Sequence, residues 1–161
     1  MSHSWEQFEN DFLSANSWAQ RKDGFPADLL EALSADERVR AVEILRTRLD
    51  GRDDWPIRAM AHLGIAESVP RLRELLCICQ APIMQAVIAT SIYELTKDSS
   101  MESIVTTVAT ARDREWVHRL DAIHCLGRFK TDTAAKVLSK LTEDPNYLVS
   151  YNARIAGGKP K

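Results

Sequence analysis

What the sequence lacks narrows its class before any motif is considered. Only three of its 161 residues are cysteine: Cys77, Cys79 and Cys125. An odd number with a Cys-x-Cys spacing does not describe a disulfide framework. No fourth ligand stands at zinc-site spacing, so no metal is expected, and the thiols read as small buried hydrophobes. No run of 18 apolar residues is present, which excludes a membrane-spanning helix. The opening Met1-Ser2-His3-Ser4-Trp5 has no basic segment leading into an apolar run. No secretory leader is therefore expected, and a cytoplasmic location is. Charge of one sign is missing too. The chain has 21 Lys+Arg against 23 Asp+Glu, a net of -2, whereas a dedicated nucleic-acid domain is usually strongly basic. Alternating β-branched and polar residues, the mark of a strand, never persist. Gly-rich phosphate loops, a G-x-S-x-G elbow and a His-Glu-x-x-His helix are all absent. The expectation is a non-enzymatic protein without a cofactor.

What is present is a succession of helix signals. Ser4-x-x-Gln7, Ser34-x-x-Glu37 and Ser99-x-x-Glu102 have the form of capping boxes. Asp54, Ser68, Asp113 and Asp132 stand where N-caps are expected, and Pro26, Pro82 and Pro145 where first helical residues are. Apolar stripes follow at helical spacing: Trp5, Phe8, Phe12 and Ala15; Val42, Leu45 and Leu49; Val87, Ile88, Ile92 and Leu95; Leu148, Tyr151 and Ile155. Cap, stripe and stop recur about ten times, which predicts an all-α chain of about ten helices in a single domain, 1–161.

The helices also repeat in pairs. Leu63, Leu95 and Leu126 are spaced by 32 and 31 residues, each with a small residue four positions earlier: Ala59, Ser91 and Ala122. Ala153 continues that series, and Gly64, Thr96, Gly127 and Gly158 mark the turn positions. A helix pair cannot bury its apolar face alone, so neighbouring pairs stack. The small residue admits a close neighbour, and glycine admits a left-handed turn. Ala59-Met60-Ala61-His62-Leu63-Gly64 and Ala122-Ile123-His124-Cys125-Leu126-Gly127 resemble the Ala-x-x-x-Leu-Gly core of HEAT-like repeats. Their short period is similar to that of phycobilisome lyases and many bacterial proteins. The resemblance implies an α-solenoid of stacked HEAT-like pairs over residues 52–158, behind an N-terminal helical capping region at 1–51. It also implies surfaces for binding rather than a reaction.

Charge and aromatics are unequally divided along this plan. Residues 1–54 carry a net of -5 and residues 55–161 a net of +3. Five of the eleven aromatics, Trp5, Phe8, Phe12, Trp18 and Phe25, lie in the first 25 residues. Aromatics facing inward and carboxylates facing outward would cover the end of a solenoid and offer an acidic platform to a basic partner. Candidate partner-binding residues are Asp53 and Asp54 before the first repeat and Arg112, Asp113 and Arg114 between units. Arg71, Glu74 and Lys136 join them on second helices, which line the concave side of such solenoids. Asp54 reads as an N-cap with Asp53 solvated, and Trp55 and Trp116 read as wedges between repeats. Taken with the resemblance to short bacterial HEAT-like proteins, the expected partner is another protein, not nucleic acid or membrane. Its most specific form is an immunity protein that occludes a basic toxin domain. The alternatives are a scaffold, adaptor or chaperone-like protein of bilin-lyase type, or an unrecognised enzyme using His62, His124 or Asp113.

Overall fold

A computed structural model of the chain describes residues 2–112 and 115–158. Among the described residues there are eleven α-helices and no strand, as the all-α reading requires. Helix α1 (His3–Gln7) continues as a π-helical stretch, Phe8–Leu13. Then come α2 (Trp18–Arg21), α3 (Ala27–Glu31), α4 (Ala35–Thr47), α5 (Asp54–His62) and α6 (Val69–Ile78). The chain continues through α7 (Pro82–Thr96), α8 (Glu102–Thr110), α9 (Val117–Leu126), α10 (Asp132–Leu141) and α11 (Tyr147–Ala156).

Helix α7 holds the middle. Every residue from Ala86 to Tyr93 is buried, as a helix without a polar face must be. It packs against α5, α6, α8 and α9. Further contacts join α9 to α11 and α10 to α8, α9 and α11. Helices α5, α7, α9 and α11 thus contact one another in series, while α8 joins α7, α9 and α10. Before α5, Trp5, Phe8 and Phe12 are fully or nearly fully buried. The Phe12 ring lies 5.2 Å from that of Trp55 on α5 and 5.9 Å from that of Phe25, centroid to centroid. Trp18 breaks the inward pattern and is 81% exposed. Trp55 is buried, but Trp116 is 39% exposed and is not a wedge.

The Ser34 and Glu37 capping box forms as expected. Elsewhere the cap often sits one or two residues from its predicted place. Ser2 caps α1 in place of Ser4, Asp53 caps α5 in place of Asp54, Thr131 caps α10 in place of Asp132, and Asn146 caps α11 behind Pro145. In each case the cap is the residue with extended backbone; at α1, α5 and α10 the neighbouring candidate falls inside the first turn, where its own oxygen no longer reaches the orphan N–H groups, and at α11 Pro145 precedes the cap. Thr131 has a further reason. Its hydroxyl accepts from the Ala134 N–H and donates to buried Glu102 at 2.6 Å. Glu102 is thereby turned inward and does not close a box with Ser99; Asp98 caps that turn instead. Ser68 makes no capping bond and donates its hydroxyl to Ile65 O.

The turn positions also divide by cause. Gly64 and Gly158 take the left-handed conformation, at φ 70° and 72°. Gly127 does not: its φ is -62°. A Cβ there would stand 2.8 Å from the Ala156 carbonyl oxygen, so glycine is needed for the approach of α9 to α11. In the unit carrying Thr96, the left-handed residue is Lys97, at φ 60°. Helix α11 also rotates away from its predicted face. Val149, Ser150 and Ala153 are buried, while Leu148 and Ile155 are each 38% exposed.

One buried ion pair joins α9 to the segment ahead of α11. The Arg119 guanidinium on α9 bonds Asp144, ahead of α11, at 2.8 Å, with both side chains under a tenth exposed. Its Nε donates to Ala109 O at the end of α8. Burial pushes the Asp144 carboxyl up. The Asn146 N–H, the Arg119 hydrogen bond and the positive charges of Arg119 and Arg112 outweigh that and hold it below the usual carboxylate range. Asp144→Ala, which strands a buried guanidinium, is expected to cost about 3–5 kcal/mol. Because the folded carboxyl is depressed, its contribution is full above about pH 4 and is lost as pH falls through the lower folded value. Urea unfolding of both proteins across pH checks this: their stabilities should converge only in acid.

Candidate binding surfaces

A broad concave surface lies where α3, α4 and the end of α5 meet. Helix α4 turns Ala41, Val42, Leu45 and the following Leu49 inward. The adjoining stripe, Val39, Val42, Glu43 and Arg46, is one wall of a groove of about 680 Å³. Leu30 of α3 with Leu63 and Ile65 after α5 complete its apolar lining, and Glu31, Glu67 and Arg38 stand with the wall's charges at the rim. Val39 is 63% exposed, too much for a core residue. The rim is partly fixed. Arg38 donates to Leu33 O at 3.1 Å and Glu31 O at 2.8 Å, closing the end of α3. His62 Nε2 lies 3.2 Å from Glu31 Oε1. An apolar floor inside a charged rim is the anatomy of a site that grips another molecule by desolvating a few anchors.

A second cleft of about 280 Å³, of mixed polar and apolar lining, opens between α5, α7 and α9, with Phe25 and Ala27 at its edge. Arg58, Thr90, Ser91, Glu94, Cys125 and Arg128 line it, and His62 belongs to both clefts. Arg58 Nε donates to Asp54 at 2.6 Å, and Arg128 Nε donates to Glu94. Burial pushes the Cys125 thiol up, so it is a neutral packing group and not a nucleophile.

The residues expected to bind a partner stand on separate elements. Asp53 is not solvated. Its two carboxylate oxygens take both terminal nitrogens of Arg21 at 2.7 Å, and Oδ1 also accepts the Trp55 N–H. Burial raises the Asp53 carboxyl, but the Arg21 and Trp55 hydrogen bonds and the nearby guanidinium charges hold it below the ordinary range. Asp54, read as the cap, is the first helical residue and pairs with Arg58. Both carboxylates are therefore engaged within the chain. Arg71 Nε donates to Leu49 O at 3.1 Å and its Nη1 pairs with Glu74 at 3.0 Å, so it ties α6 to the segment after α4. Arg112 lines a separate cleft beside Arg119 and Asp144, and Lys136 stands exposed on α10. Asp113 and Arg114 lie outside the described residues.

None of the expected residues that the structure describes lines the α3–α4–α5 groove. The signal in the sequence was Val39 itself, an apolar residue between Arg38 and Arg40 on the polar side of an otherwise regular stripe. Comparison with known proteins finds no matching family model, no matching curated protein and no matching solved structure.

The Arg21 and Asp53 pair is testable as a tie between the N-terminal helices and α5. Arg21 also lies over the Trp55 ring, 4.3 Å from its centroid. Asp53→Ala removes a cap and a bidentate partner, each about a third exposed, and is expected to cost about 1–2 kcal/mol. Chemical denaturation measures it, and Asp54→Ala, which keeps the cap, should cost less.

Proposed function

We propose that the chain is a non-enzymatic protein-binding module: an α-solenoid of HEAT-like helix pairs with its N-terminal helices as a cap. In this reading the α3–α4–α5 groove receives the partner. The observation that carries it is the pairing of a highly exposed valine with an apolar floor and a charged rim in which Glu31, Glu43 and Glu67 stand with Arg38 and Arg46. Such a site supplies affinity from the desolvated centre and partner choice from the charged edge. The serial contacts from α5 through α7 and α9 to α11 are what stacked pairs require along one side. The acidic N-terminal third favours a basic partner. The specific form we propose is an immunity protein that occludes a toxin domain by covering its working surface. A scaffold or adaptor role is favoured by a different observation, the outward Tyr147, Leu148 and Ile155 of α11, which offer a second apolar surface.

The test is to purify the chain with the product of the adjacent gene. A stoichiometric complex that suppresses that protein's toxicity is expected. Val39→Asp should weaken it by about 30- to 100-fold while leaving folding stability within about 0.5 kcal/mol, as for an exposed site. No complex, or equal affinity in the variant, contradicts the proposal.

A further inference from the structure

Ser91 is the one member of its repeated series that is not alanine; Ala59, Ala122 and Ala153 hold the other positions. All four are buried, with Ser91 only 2% exposed. Alanine would satisfy the packing there, since burying a hydroxyl without a partner is unfavourable. The Ser91 hydroxyl makes no hydrogen bond to any described residue, unlike that of neighbouring Thr90, which donates to Ala86 O at 2.7 Å. Ser91 lines the cleft between α5, α7 and α9.

Two guanidinium groups line the same cleft, and each is held by one edge. Arg58 uses Nε on Asp54, and Arg128 uses Nε on Glu94. A guanidinium has five N–H donors, and the terminal nitrogens of both arginines meet no acceptor among the described residues. The cleft thus holds a surplus of donors over acceptors at nearly balanced charge. Balanced charge excludes strong long-range attraction, so recognition rests on hydrogen bonds in a partly enclosed space. Its size, about 280 Å³, suits a compact group.

We infer that this cleft binds a compact oxyanion, a carboxylate or a phosphate, between the terminal nitrogens of Arg58 and Arg128 and the hydroxyl of Ser91. Charge-assisted bonds to a planar fork are the strong kind, and Ser91 supplies the donor that an alanine lacks. The site adjoins the apolar groove at His62, but its three binding groups lie outside that groove, and it does not depend on the protein-binding reading.

The test is an NMR titration of the full chain with sodium phosphate and, separately, sodium acetate, at ionic strength held constant with sodium chloride. The arginine Nε–H signals and the α7 amides are observed. Saturable shifts at Arg58, Arg128 and Ser91 are expected with a Kd of about 1 mM or below for at least one anion, and the tighter one assigns the source as phosphate or carboxylate. Ser91→Ala restores the residue of the other three positions and is expected to fold. It should weaken binding about fivefold to tenfold, and Arg128→Gln, at a half-exposed site, should abolish saturation. No saturation by either anion, or unchanged binding in both variants, overturns the inference.

Discussion

The burial of α7 is the constraint on which the rest of the structure depends. A helix with eight consecutive buried residues has no face to give to water, so neighbours must cover it on every side. Helices α5, α6, α8 and α9 do so. Beyond them, α10 packs on α8 and α11 on α9. Where the apolar interior approaches the surface, polar groups of α7 are brought with it. Thr90, Ser91 and Glu94 reach the cleft because the helix that carries them is enclosed.

The N-terminal third answers a related need. Helix α5 carries Trp55, whose ring is met by Phe12 and Phe25 and covered by Arg21. Arg21 in turn holds Asp53, the residue that caps α5. Aromatic packing, a cation over a ring and a helix cap thus share one set of atoms. This changes the meaning of the acidic charge in this region. Asp53 and Asp54 are used internally, and Glu37 is engaged by Ser34 and by the Ser2 hydroxyl. At the rim of the groove, Glu43 and Glu67 are exposed, with Glu31 beside His62.

Much of this was legible in the sequence, and the misses have physical causes. Apolar stripes at helical spacing located the helices, since burial of one face leaves that signal in composition. The Ser34 box was legible because its two reciprocal bonds are local, joining residues three apart. Caps were misplaced where two polar residues adjoin, as at Asp53 and Asp54, because a distant residue, Arg21, decides between them. Glu102 was misread for the same reason: its partner, Thr131, is 29 residues away. Gly127 looked like a left-handed turn and serves a close approach to Ala156 instead. The groove was missed because it is assembled from three helices, with Val39 alone as its mark in the chain.

The central claim is that a partner seats on the α3–α4–α5 groove. Hydrogen–deuterium exchange of the chain, alone and with the adjacent gene's product, tests it most directly. The account predicts slowed exchange confined to residues 30–46 and 62–67. Slowing centred on α6, α8 or α10, or no slowing in a complex that forms, would contradict it.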